Sequence, residues 1–140
     1  MSPLAMDRDA APPPPFEASA LAASLSCTDL EVSLDWYQRV IGFAIETRHE
    51  REGRLSGVSL RAAGVTLLLT QDDFAQGTDR VKGTGFSLQF TTALPVDAIA
   101  RRIVDDGGVL STAPTDTPWG ARVFRVKDPD GFMLVFSSGA

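Results

Sequence analysis

Apolar and polar residues alternate in two short series, and after each one the apolar spacing widens to three and four. In the first series Leu25 and Cys27 alternate with Ser24 and Ser26, and Leu30, Leu34, Tyr37 and Ile41 follow at helical spacing. A period of two marks a half-buried strand, and the wider spacing marks one face of a helix. Thr28-Asp29-Leu30-Glu31 reads as a capping box, with Thr28 at the N-cap and Glu31 reaching back to it. Gly42 suits the left-handed turn that ends such a helix. Val32, Trp36 and Val40 lie on another side, giving the helix more apolar surface than one sheet contact requires, as at a subunit contact. Strands are predicted at 43–49, 54–61 and 65–71, with Glu52-Gly53 and Ala63-Gly64 as turns.

The second series repeats this plan. Ser87-Leu88-Gln89-Phe90-Thr91 echoes Ser24-Leu25-Ser26-Cys27-Thr28, after a polar stretch with Gly77 and Gly83. Pro95 suits a first helical turn, and Val96, Ile99, Ala100 and Ile103 form the buried stripe. Asp97 and Arg101 are spaced as an exposed ion pair, and Gly107-Gly108 closes the helix. Strands are predicted at 109–112, 120–127 and 132–137, with Asp128-Pro129-Asp130-Gly131 as a turn. The chain therefore reads as one βαβββ unit written twice, an α+β domain over 20–140. Repeat one is 20–71, a linker follows at 72–84, and repeat two is 85–138. Residues 1–19, with Pro12-Pro13-Pro14-Pro15, read as an extended, disordered leader.

Composition narrows the function classes. A chain of 140 residues, 44% hydrophobic, suits one domain with a real core. A net charge of −5 argues against a nucleic-acid partner, and an acidic surface favours capture of a cationic ligand. No apolar run reaches the roughly 20 residues that span a bilayer, so no membrane partner is expected. No secretion signal is read, and the single cysteine fits a reducing, cytoplasmic location.

Three stretches carry a resemblance to a known family. They are Asp29 to Tyr37 followed by Val40-Ile41-Gly42-Phe43, then Asp106-Gly107-Gly108-Val109, and finally Trp119-Gly120-Ala121-Arg122 with Asp128-Pro129-Asp130-Gly131-Phe132. In this order they resemble the glyoxalase/bleomycin-resistance/dioxygenase superfamily, the vicinal oxygen chelate fold, and most closely its bleomycin-resistance-like members. The resemblance implies two curved four-stranded sheets, each with one helix, pairing into an open barrel-like cleft within a chain or across a homodimer. Strand alternation then turns Leu25, Cys27, Phe86, Leu88 and Phe90 to the helices, and Ser24, Ser26, Ser87 and Gln89 to the cleft.

In most enzymes of that family both units supply His, Gln or Glu to one metal. The matching positions here are Ala22, Leu68, Gly85 and Val135, none of which has a side-chain lone pair to donate. The one histidine, His49, reads as a surface residue, and neither Asp72-Asp73 nor Asp128 with Asp130 reads as a ligand set. No metal or other cofactor is expected. Cys27 points to the core, and no nucleophile elbow, phosphate loop or dinucleotide fingerprint occurs. The candidate ligand contacts are Trp119, Arg122 and Phe43, with Phe74 beside them, and Ser24, Ser26, Ser87, Gln89, Leu68 and Val135 on the strands. Trp119 offers a flat face to a planar or cationic ligand, and Arg122 either meets a ligand anion or braces its hairpin.

The resemblance thus implies a non-enzymatic, antibiotic-resistance type of protein that sequesters a planar or cationic drug-like molecule in a metal-free cleft. The alternative is a metal-independent lyase or isomerase using a carboxylate such as Glu46 as base. A third reading is a metalloenzyme whose ligands stand elsewhere in the chain.

Overall fold

The computed structural model describes residues 11–139. The first ten residues of the expected leader lie outside it, and residues 11–19 are exposed and form no helix or strand. Eleven elements follow in two matching series. The first holds β1 (Ala22–Cys27), α1 (Leu30–Asp35) continued by a π-helical turn (Trp36–Ile41), β2 (Ala44–Arg51), β3 (Arg54–Ala62) and β4 (Val65–Gln71). The second holds β5 (Ser87–Thr92), α2 (Val96–Asp105), β6 (Thr112–Asp116), β7 (Ala121–Lys127) and β8 (Met133–Gly139). Each series makes one sheet, ordered β1-β4-β3-β2 and β5-β8-β7-β6. In each, the first strand lies parallel to the last and the remaining pairs are antiparallel.

The strand register corrects the repeat alignment. β1 begins at Ala22 and β5 at Ser87, so Ser24 corresponds to Gln89 and not to Ser87. The rungs agree, because Ser24 pairs with Leu68 and Gln89 with Val135. The sequence echo is therefore slipped by two residues. A slip of two is one full pleat repeat, so it leaves every side chain on its predicted face.

Local chemistry accounts for three further departures. Asp29, not Thr28, caps α1, its carboxylate accepting from the N–H groups of Glu31 and Val32. The Thr28 N–H instead donates to Asp130 Oδ1 at 2.9 Å. The helix then widens, with the Gly42 N–H bonded to the Tyr37 carbonyl five residues back at 2.9 Å. That wider turn buries Val40 and leaves Ile41 only half-buried, where a regular stripe would bury Ile41. Gly42 closes the turn at φ 106°, a left-handed conformation suited to glycine. In the second unit Asp97 pairs with Arg122 of β7 rather than with Arg101.

The helix-facing sides of both sheets share one core. Leu25, Cys27, Leu60, Leu67 and Leu69 of the first sheet belong to the same buried cluster as Phe124, Val126, Leu134 and Phe136 of the second. A chain of aromatic contacts crosses between the units, from Tyr37 to Phe43 (5.9 Å), Phe90 (6.0 Å), Phe136 (5.2 Å) and Phe124 (5.0 Å). Leu25 and Cys27 are buried and Leu88 and Phe90 partly buried, as alternation predicts. Phe86 is not; it precedes β5, is 46% exposed and meets Phe132 edge-on.

Candidate functional site

With the helical sides joined in the core, the opposite faces of the two sheets are open surfaces. On the first, the cross-strand rungs are Ser24–Leu68–Ser59 and Ser26–Thr70–Gly57–His49. On the second they are Ser87–Met133–Lys127 and Gln89–Val135–Arg125. Ser24, Ser87 and Gln89 are exposed and Ser26 half-buried. Leu68 is half-buried and Val135 only 5% exposed, because β4 and β8 are interior strands shielded from both sides. His49 lies within β2, exposed on the same rung as Ser26.

The expected site residues do not converge within one chain. A cavity of about 660 Å³ lies against the second face, lined by Arg80 to Ser87, Arg125, Lys127, Asp130, Gly131 and Met133. A more apolar one, about 750 Å³, lies between the units and is bordered by Phe43, Phe90, Phe136, Val65 and Leu94. Neither is lined by Ser24 or Ser26. Phe43 is a core aromatic that also borders the apolar cavity. Trp119 is 69% exposed in the turn between β6 and β7 and borders neither cavity. Arg122 alternates with Arg125 across β7 and points to the helix side, where it bonds Asp97 (2.9 Å) and Asp116 (3.0 Å). It is a brace between strand and helix.

The Asp128-Pro129-Asp130-Gly131 turn does more than the sequence pattern indicates. Buried Asp128 accepts from the Tyr37 hydroxyl at 2.7 Å and from the N–H groups of Asp130 and Phe132 at 2.9 Å each. Asp130 accepts from the Ser33 hydroxyl at 3.2 Å as well as from Thr28. Lys82 joins this group, its Nζ donating to the Ser26 carbonyl at 3.0 Å and lying 3.0 Å from Asp72 and 3.8 Å from Asp130. The turn and the linker thereby fasten the second unit to the first helix. The only sequence signal is two carboxylates within four residues, with the chain's one tyrosine, 91 residues earlier, needing an acceptor once buried.

Titration follows these surroundings. Burial pushes the Asp128 carboxyl above its ordinary range, against the pull of its hydrogen bonds. Burial, with the Asp128 charge beside it, likewise pushes the Tyr37 hydroxyl up. Burial raises the Cys27 thiol to about 11, so it is a protonated, inert group at neutral pH. The N–H of Phe74 and the Lys82 ammonium hold Asp72 below the usual carboxylate range. Glu46 is exposed and paired with Arg61 at 3.4 Å.

The residues do not fit a metal of the kind most enzymes with this fold hold. The corrected register replaces Gly85 with Ser87 opposite Ala22, and Leu68 and Val135 remain on matching interior rungs. Ala22, Leu68, Ser87 and Val135 together offer one hydroxyl, with no imidazole or carboxylate. Among the described residues, no three His, Cys, Asp or Glu side chains converge elsewhere.

Two βαβββ units with parallel first and last strands and an open curved sheet in each define a vicinal oxygen chelate architecture. The chain belongs to the glyoxalase/bleomycin resistance protein/dioxygenase superfamily, whose family model matches residues 20–136. It is similar in structure to TioX from Micromonospora sp. ML1, with a TM-score of 0.69 at 24% identity over 88% of this chain and 100% of that one. It is also similar to a member of the superfamily from Sphaerobacter thermophilus DSM 20745, TM-score 0.70 at 21% identity over 87% and 98%. A glyoxylase/bleomycin resistance protein/dioxygenase domain from Frankia sp. EAN1pec gives 0.70 at 19% identity over 89% and 94%. At these identities the likeness concerns the fold. No curated protein is detectably similar to the chain. No helix among the described residues is long and apolar enough to cross a membrane.

Proposed function

We propose that this protein binds a small, planar, drug-like molecule and sequesters it without metal or covalent chemistry. The observation that carries the reading is the pair Leu68 and Val135, apolar on the matching interior rungs of the two sheets where a donor would be needed. Around them stand hydroxyl and amide groups, Ser24, Ser26, Ser87 and Gln89, which hydrogen-bond a ligand but do not attack it. Cys27 is buried and protonated, and Glu46, the carboxylate of the lyase or isomerase reading, is exposed and already paired with Arg61.

The two faces look away from a shared core, so a closed cleft requires a second copy, the first unit of one chain facing the second unit of the other. The protein is therefore proposed to act as a homodimer. The expectation of a cationic ligand rests on the net charge of the whole chain and on the flat face of Trp119, whereas the second face itself carries Arg125 and Lys127.

The test is titration of tryptophan fluorescence with metal-free bleomycin and a panel of planar antibiotics, repeated by calorimetry. Saturation at one ligand per subunit is expected. A flat response by both methods across the panel would overturn the reading.

A further inference from the structure

The cavity on the second face has a charge opposite to that of the chain. Four cations, Arg80, Lys82, Arg125 and Lys127, line it against one carboxylate, Asp130. That carboxylate is already engaged by Thr28, Ser33 and Lys82, and its side chain is only 5% exposed. Lys82 is equally withdrawn, with its ammonium held by Asp72 and the Ser26 carbonyl. Arg80 stands at the rim, tied to Gln76 at 2.8 Å and more loosely to Asp72 at 3.4 Å. Arg125 and Lys127 differ from all of these. They lie two residues apart on one side of β7, are exposed, and form no ion pair among the described residues.

The uncharged walls complete the picture. Phe86 and Met133 give an apolar side, and Ser87 adds a hydroxyl on the rung of Lys127. Gly83 is pinned against Phe132, where an added Cβ would lie 2.9 Å from the ring, so the linker wall is seated on the second unit. A hollow of about 660 Å³ is of small-molecule size.

We infer that this cavity is the seat of an organic anion: an aromatic or apolar body against Phe86 and Met133, with a carboxylate, sulfonate or phosphate facing Arg125 and Lys127. Arginine supplies a fork for such an oxyanion and lysine a point charge, both stronger toward an anion than toward a neutral group. The inference rests on the proposed binding function and assigns its ligand a chemical class.

Three matched compounds test it: 2-naphthoate, its neutral analogue 2-naphthamide, and the cation 2-naphthylmethylammonium. Each is titrated by calorimetry into the full-length protein at low ionic strength, and again into Arg125→Gln/Lys127→Gln. Both substitutions are at exposed strand positions without ion pairs, and circular dichroism checks that the fold is kept. The carboxylate should bind best, lose about tenfold in affinity in the double variant, and weaken with added salt, while the amide stays unchanged. If amide or ammonium binds as tightly as the carboxylate, or the double variant keeps the preference, the anion assignment fails while ligand binding stands. If none of the three binds, the assignment falls together with the proposed function of this face.

Discussion

The two units share strand order and rung alignment but present unlike faces. The first offers Ser24, Ser26, Ser59 and Thr70, with His49 at one side and Arg61, whose charge is paired with Glu46, on the rung of Ala22. The second offers Gln89 and Ser87 beside Arg125 and Lys127. Their turns differ as well. The first unit joins its last two strands through Ala63 and Gly64, a tight reversal with no hydrogen bond to the other unit among the described residues. The second uses Asp128 to Gly131, whose carboxylates reach across to the first helix. Duplication therefore preserves what the backbone needs, namely pairing and an apolar inner side. It leaves the outer face and the turns free to diverge, since neither is dictated by sheet geometry.

The largest effect should come from separating the two turns. Asp128→Ala strips an acceptor from one buried hydroxyl and two N–H groups, and about 3–5 kcal/mol of stability should disappear in urea denaturation. A loss under about 1 kcal/mol would mean that the turn is not a fastening between units.

Next in size is a response to alkali confined to the first unit. Cys27 corresponds in register to Thr92, which does not ionise. The unfolded thiol titrates near 9.0 and the buried one at about 11, so within that window the unfolded chain holds fewer protons. Stability must then fall as pH rises through the window, by at most about 3 kcal/mol, and stay level below it. Tyr37, also pushed up, acts in the same direction. Denaturation midpoints at pH 8 and 10.5 should converge in Cys27→Ala; an unchanged slope would assign the loss to other groups.

The turn of the first unit should answer with the opposite sign. Ala63 holds φ at 50°, which glycine adopts without strain, so Ala63→Gly should be neutral or raise stability by up to about 1 kcal/mol. A loss of melting temperature there would show that the methyl group packs usefully.

Smallest is the effect of Arg122→Gln, which releases surface contacts to Asp97 and Asp116. It should cost under about 1 kcal/mol and leave ligand affinity unchanged. A selective drop in affinity would instead make Arg122 a ligand contact.

Much of this was legible in the sequence where period decides the outcome. Alternation turns Leu25 and Cys27 to the helices, where they are buried, and Ser24, Ser26, Ser87 and Gln89 to the opposite faces, and the stripe Val96, Ile99, Ala100 and Ile103 is buried as predicted. Alternation is blind to a slip of two, so the sequence echo aligns Ser24 with Ser87 where the strands align it with Gln89. The widened turn at Trp36–Ile41 escaped because a change from four- to five-residue bonding leaves no mark in composition. Asp97 met Arg122 because the strand partner is available in three dimensions and not in spacing. The basic cavity was hidden by summation: a chain with net charge −5 gives no hint that Arg125 and Lys127, free of ion pairs among the described residues, share one side of one strand.

The fastening through Asp128 and Asp130 also bears on how the protein is made. Thr28, Ser33 and Tyr37 leave the ribosome well before their acceptors, which lie 102, 97 and 91 residues downstream. Until the last turn arrives, those three donors have only water as partner, and the first helix is not yet fastened. A weakened turn would leave that last fastening open after synthesis is complete, so its effect is felt in the finished molecule.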